Sequence, residues 1–173
     1  MLSGRVLVVT ADDFGLTAAT SRAIIDAHER GIVTAVSVLG NGPATDATLP
    51  LLADHPALEV GVHVALVGED PPLSPASSIP TLVDRSGRLR TSWRRFVVDL
   101  AVGRIDPADV RRELDAQVEV VATGQRPIRH LNMHQHLQLW PLLGTVCLDA
   151  AHAHGIGYVR TPGSASLAPR GLA

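Results

Sequence analysis

The stretch Val6-Leu7-Val8-Val9-Thr10-Ala11-Asp12-Asp13-Phe14-Gly15 decides how this chain is read. A continuous apolar run is the pattern of a strand covered on both faces, and here it predicts one over Arg5 to Thr10. Two adjacent carboxylates where such a strand ends are costly, because each raises the other's pKa and burial penalises both. A divalent cation is the simplest compensation, since carboxylate oxygen is a good ligand for hard and borderline metals. The alternative is that Asp12 caps the next turn and Asp13 is solvated.

Downstream, strand and helix patterns alternate. Thr17 is placed to cap a helix through Ile24, Ile25 and His28 that stops at Gly31. Thr34 to Leu39 reads as a strand, Asn41-Gly42-Pro43 as a turn into a helical segment ending near His55-Pro56, and Leu58 to Leu66 as a third strand. Gly68 to Pro80 has no apolar period and reads as a loop long enough to cover a substrate. Ser92 to Ala101 is a short helix. A longer one starts at Asp106-Pro107, ends at Gly124 and buries Val110, Leu114, Val118 and Val121. Ile128 to Met133, Leu139 to His154 and Gly157 to Arg160 complete the pattern as strand, helix and strand, with 163–173 an extended tail. This order implies an α/β fold, a parallel sheet or barrel with function at the carboxyl ends of its strands.

Two more strand ends carry imidazoles. His63 lies in Gly61-Val62-His63-Val64, an apolar run where it is either a satisfied core histidine or a ligand. In His130-Leu131-Asn132-Met133-His134-Gln135-His136, an extended chain would put His130, Asn132, His134 and His136 on one face. A histidine-rich surface edge is the plain alternative. One Asp with two His makes a set that leaves coordination positions open for water and substrate. A second carboxylate within reach could take the water's proton, and adjacency does not say which of Asp12 and Asp13 does which. His28, His55, His152 and His154 read as surface or capping groups. Arg160 either reaches into the same mouth or makes an ordinary salt bridge.

Composition narrows the classes. At 173 residues and 46% hydrophobic, the chain is long enough for a single domain with a sizeable core. A formal charge of -2 gives no electrostatic case for nucleic acid or an anionic membrane. No apolar run approaches the roughly 20 residues a membrane span needs, and no secretory signal is seen, which points to the cytoplasm. The lone Cys147 reads as a small core residue.

Taken together, Thr10-Ala-Asp-Asp-Phe-Gly-Leu-Thr17, Gly31-Ile-Val-Thr34, Asn41-Gly-Pro43, Gly61-Val-His63, His130-Leu-Asn-Met-His-Gln-His136 and Tyr158-Val-Arg-Thr-Pro162 resemble the YdjC-like carbohydrate deacetylases. Within them, Val64 to Arg88 is similar to the hopanoid-associated branch. The resemblance implies a distorted, incomplete (β/α) barrel that hydrolyses the N-acetyl group of an amino sugar, on an oligosaccharide or a glycolipid. By position, Asp13, His63 and His134 would hold one divalent metal, zinc or magnesium, and Asp12 would be the general base. His136 would lie beside the metal, and Arg160 matches an arginine usual in the family. Gln138 stands where relatives often have a further histidine. Relatives also run longer and carry a later His-Pro segment that this sequence lacks. An open sheet edge would follow: either a partner or a second copy covers it, or the sequence is a fragment, or activity is impaired. The rival functions are a metal-binding remnant without turnover and another metallohydrolase such as a phosphoesterase, which would need a second metal.

Overall fold

The computed structural model describes residues 7–68 and 70–161. Five parallel strands lie side by side in chain order: β1 (Thr10–Phe14), β2 (Ala35–Leu39), β3 (Glu59–Val64), β4 (Ile128–Met133) and β5 (Tyr158–Val159). Parallel neighbours need crossovers, and these run through α1 (Ala18–Glu29), α2 (Thr45–Thr48), α3 (Trp93–Ala101), α4 (Pro107–Ala122) and α5 (Pro141–Ala153). Among the described residues the sheet does not close, so the architecture is the expected α/β fold with an incomplete barrel. No helix among them is long and apolar enough to cross a membrane.

The local causes are the expected ones. Thr20 N–H donates to Thr17 Oγ1 at 2.9 Å to start α1, and Ala108 N–H to Asp106 Oδ1 at 2.8 Å to start α4. Val110, Leu114, Val118 and Val121 are all buried. Strand alternation sends Val36, Val38, Val60, Val62, Leu131 and Met133 into the helix-covered core. The opposite face carries Ser37, Gly61, His63, His130 and Asn132, and it is concave. Flat sheets space strands about 4.8 Å apart, which would leave β1 about 14 Å from β4. Yet Asp12 on β1 hydrogen-bonds Asn132 on β4 at 3.1 Å, so the sheet curls around its polar face.

Several expectations are corrected. The first strand is shifted: β1 begins at Thr10, and Leu7 and Val8 are 76% and 54% exposed rather than buried. An edge strand has a neighbour on one side only, so an apolar run there does not guarantee cover. α1 ends at Glu29 with Arg30 as its cap, so Gly31 follows as the expected stop, whereas α5 starts at Pro141 rather than Leu139, after a 3-10 turn over His134–Leu139. The expected tail, 163–173, lies outside the described residues.

The loop from Gly68 to Pro80 is anchored by carboxylates that face inward from α4. Glu113 is fully buried and accepts the backbone N–H groups of Leu73 and Ser74 at 3.0 and 2.9 Å. Asp109 accepts both N–H and Oγ1–H of Thr81. Gln117 bonds the N–H and C=O of Ala65 at 2.8 and 2.7 Å. Buried acids are tolerated where such donors replace water.

Candidate metal centre and active site

The two acids are separated by a backbone irregularity. On β1, Ala11 pairs with Val36 and Phe14 with Val38, so three steps on one strand face two on the other. That is a β-bulge, with Asp13 in the left-handed region at φ 64°. Asp is one of the few residues that enters this region at modest cost. A regular strand would send Asp12 and Asp13 to opposite faces; the bulge lets both serve the carboxyl end of the concave face. Gly15 then turns the chain at φ 94°, its N–H held by Ser21 Oγ at 2.9 Å.

His63, near the end of β3, and His134, directly after β4, come to Asp13. His63 Nε2 lies 3.2 Å from Asp13 Oδ1 and 3.2 Å from His134 Nδ1, and His134 Nδ1 lies 3.3 Å from the same oxygen. Zinc bonds of about 2.0–2.2 Å would set neighbouring ligand atoms about 3.3–3.6 Å apart in a tetrahedron and about 2.8–3.1 Å in an octahedron. The observed triangle falls between the two. Asp13 Oδ1 is moreover buried with no hydrogen-bond partner, an orphaned acceptor of the kind a cation satisfies. These residues therefore fit a divalent ion, and among the described residues they are the single such group. The close imidazole of His63 holds the Asp13 carboxyl below its ordinary range, with burial opposing.

Asp12 faces different partners. Arg160, just past β5, donates from Nη2 to Oδ2 at 2.7 Å and from Nη1 to Oδ1 at 2.9 Å; Asn132 Nδ2 adds a bond to Oδ1. Burial alone would raise its pKa, but Arg160, His63 and Asn132 outweigh it and bring it to about 2. Asp12 is thus ionised throughout the neutral range. His136 departs from the expected stripe. Gln135 and His136 both adopt positive φ, 56° each, which ends the extended run and leaves His136 exposed and outside the three-atom cluster.

Three residues of the site were given no role from the sequence. Asn132, fully buried, joins Asp12 to His63 Nδ1, which lies 2.9 Å from its Oδ1. Gln138 accepts Met133 N–H and donates to the Arg160 carbonyl at 3.0 Å, fixing the backbone that carries the guanidinium. Below them Ser37 Oγ bonds His130 Nε2 at 2.9 Å. The His130 ring packs so closely on β3 that a Cβ at Gly61 would come within 2.3 Å of it, and burial keeps that ring's pKa low. Alternation along β4 was the available signal for Asn132. The sequence marks Gln138 only as standing where relatives often have a further histidine. Beside His134 opens a cavity of about 260 Å³, walled by Leu16, Leu39, Ala65, Val67 and Gly68, with Asp70 at its lining.

Residues 6–172 match the profile of the YdjC-like proteins. The chain belongs to that family. Among YdjC-like relatives, a carbohydrate deacetylase of Listeria monocytogenes is 30% identical over 154 residues, covering 89% of this chain and 60% of its own length. One from Halalkalibacterium halodurans is 34% identical over 134 residues, covering 78% and 54%. The fold is similar to a solved structure from Enterococcus faecalis, a candidate cellobiose-phosphate cleavage protein. It has a TM-score of 0.80 and 26% identity, over 93% of this chain and 60% of that one. This YdjC-like chain thus spans about 60% of the length of the relatives it matches.

Proposed function

We propose that this chain carries the metal centre of a carbohydrate N-deacetylase, which cleaves the acetamide of an amino sugar into acetate and a free amine. The observation behind this reading is the triangle of Asp13 Oδ1, His63 Nε2 and His134 Nδ1 at the carboxyl rim of the sheet. It occurs in a chain whose relatives are named carbohydrate deacetylases. Asp13, His63 and His134 would hold the ion, with the nitrogen-rich set favouring zinc over magnesium. When bound, such an ion acidifies water and polarises a carbonyl oxygen.

The chain's own groups supply the rest. Asp12, ionised and oriented by Arg160, accepts the proton of the attacking water while the water oxygen bonds to the acetyl carbon. That proton is then passed towards the amide nitrogen as the C–N bond breaks. His136 and the loop over 70–80 would serve as substrate contacts. Leu16, Leu39 and Val67 give the cavity beside His134 an apolar wall against which a sugar or acetyl group could pack.

The test is acetate release by zinc-loaded protein from a panel of N-acetylglucosamine conjugates, soluble and lipid-linked. Acetate in step with free amine is the expected result. Tight zinc binding with no acetate from any conjugate, or phosphate released from sugar phosphates instead, overturns the proposal.

A further inference from the structure

We infer that Asn132 is the positioning residue that sets the proton of His63, and through it the metal-binding face of the cluster. The inference rests, for its second half, on the metal reading above.

The amide has no choice of orientation. Both Asp12 oxygens accept from the Arg160 guanidinium, so Oδ1 is an acceptor and the group 3.1 Å from it is the amide nitrogen. Asn132 Oδ1 is thereby turned to His63 Nδ1 at 2.9 Å, and a carbonyl oxygen accepts only from N–H. In neutral His63 the proton therefore sits on Nδ1, and Nε2 presents its lone pair to Asp13 and His134. Asn132 is fully buried and His63 only 3% exposed, so no water competes for either contact. The register of the sheet makes this possible, since Asn132 on β4 stands directly opposite His63 on β3. Asp12 thus acts on the cluster twice, once as a charge and once by orienting an amide that fixes a tautomer.

Two substitutions separate positioning from simple packing. Asn132→Asp keeps an acceptor at His63 Nδ1 and gives up the donor to Asp12. Asn132→Ala removes both. Long-range ¹⁵N–¹H spectra of the metal-free protein at mildly alkaline pH report which ring nitrogen of His63 carries the proton, and calorimetry with Zn²⁺ alone reports affinity. The parent should show the Nδ1–H form. Asn132→Asp should retain that form and a zinc affinity close to the parent's. Asn132→Ala should lose the tautomer preference and bind zinc about 10–100-fold more weakly, the usual scale for partners behind a ligand. An Nε2–H tautomer in the parent would overturn the inference, even if the variants did not fold. So would equal zinc losses in both variants with no change of tautomer. A parent that binds no zinc would instead defeat the metal reading, while the spectra still decide the tautomer.

Discussion

Asp12 on the first strand and Arg160 beyond the fifth are joined by two hydrogen bonds of 2.7 and 2.9 Å, although 148 residues separate them. Four flat strand spacings would hold their elements about 19 Å apart. The pair therefore fastens one edge of the curled sheet to the other, and it does so beside the candidate metal centre. Curvature and electrostatics are set by the same contact.

Acid should expose that contact. The Asp12 carboxyl is depressed from 3.8 to about 2 in the folded chain, so its contribution is complete above 3.8 and fades as pH falls through about 2. The contribution is about 2 kcal/mol. Arg160→Gln should be less stable than the parent at neutral pH and should lose less on acidification between those values. Thermal melts across the acid range check this; parallel curves for parent and variant would refute it.

Metal binding should depend on each corner of the triangle. Asp13→Asn, His63→Ala and His134→Ala are each expected to drop zinc from stoichiometric to background levels by elemental analysis, because a site missing one of three protein ligands loses much of its affinity. Unchanged metal content in any of them removes that residue from the ligand set.

Asp12→Asn should divide binding from turnover. Zinc content is expected to persist while acetate release falls about 10²–10⁴-fold, the range typical of losing a general base. Full activity in this variant would exclude Asp12 as the proton acceptor.

The anchored loop makes a stability prediction. Glu113→Ala strands the N–H groups of Leu73 and Ser74 and a Gln117 contact at 2.9 Å, and should cost about 2–3 kcal/mol in urea unfolding. A cost within the error of an exposed substitution would mean the loop is held by its apolar contacts instead.

Cys147 is fully buried, and burial pushes its thiol up to about 12. Reaction with a disulfide reagent should be negligible in the native state and prompt once the chain is unfolded in denaturant. Fast native labelling would place this part of α5 in frequent opening.

The sequence made the Asp13–His63–His134 cluster legible because Asp-Asp, His63 and the His130–His136 stretch all stand at predicted strand ends. Alternation along β4 correctly separated His130 and Asn132 from Leu131 and Met133. What it could not show were departures from regular backbone. The bulge at Asp13 and the positive φ angles of Gln135 and His136 break the period-two rule by which strand faces are read. The inward acids of α4 were hidden for another reason. Asp109, Glu113 and Gln117 recur every fourth residue beside the apolar stripe, but such residue types normally mark the solvated face of a helix.

The extra residue in β1 makes the neighbouring acids a single structural unit. Deleting one position between Ala11 and Phe14 would straighten the strand and turn one of the pair away from the rim, with every side chain elsewhere untouched. Substitution scans would never reveal that dependence. In this chain, spacing along β1 governs the placement of the acids as much as residue identity does.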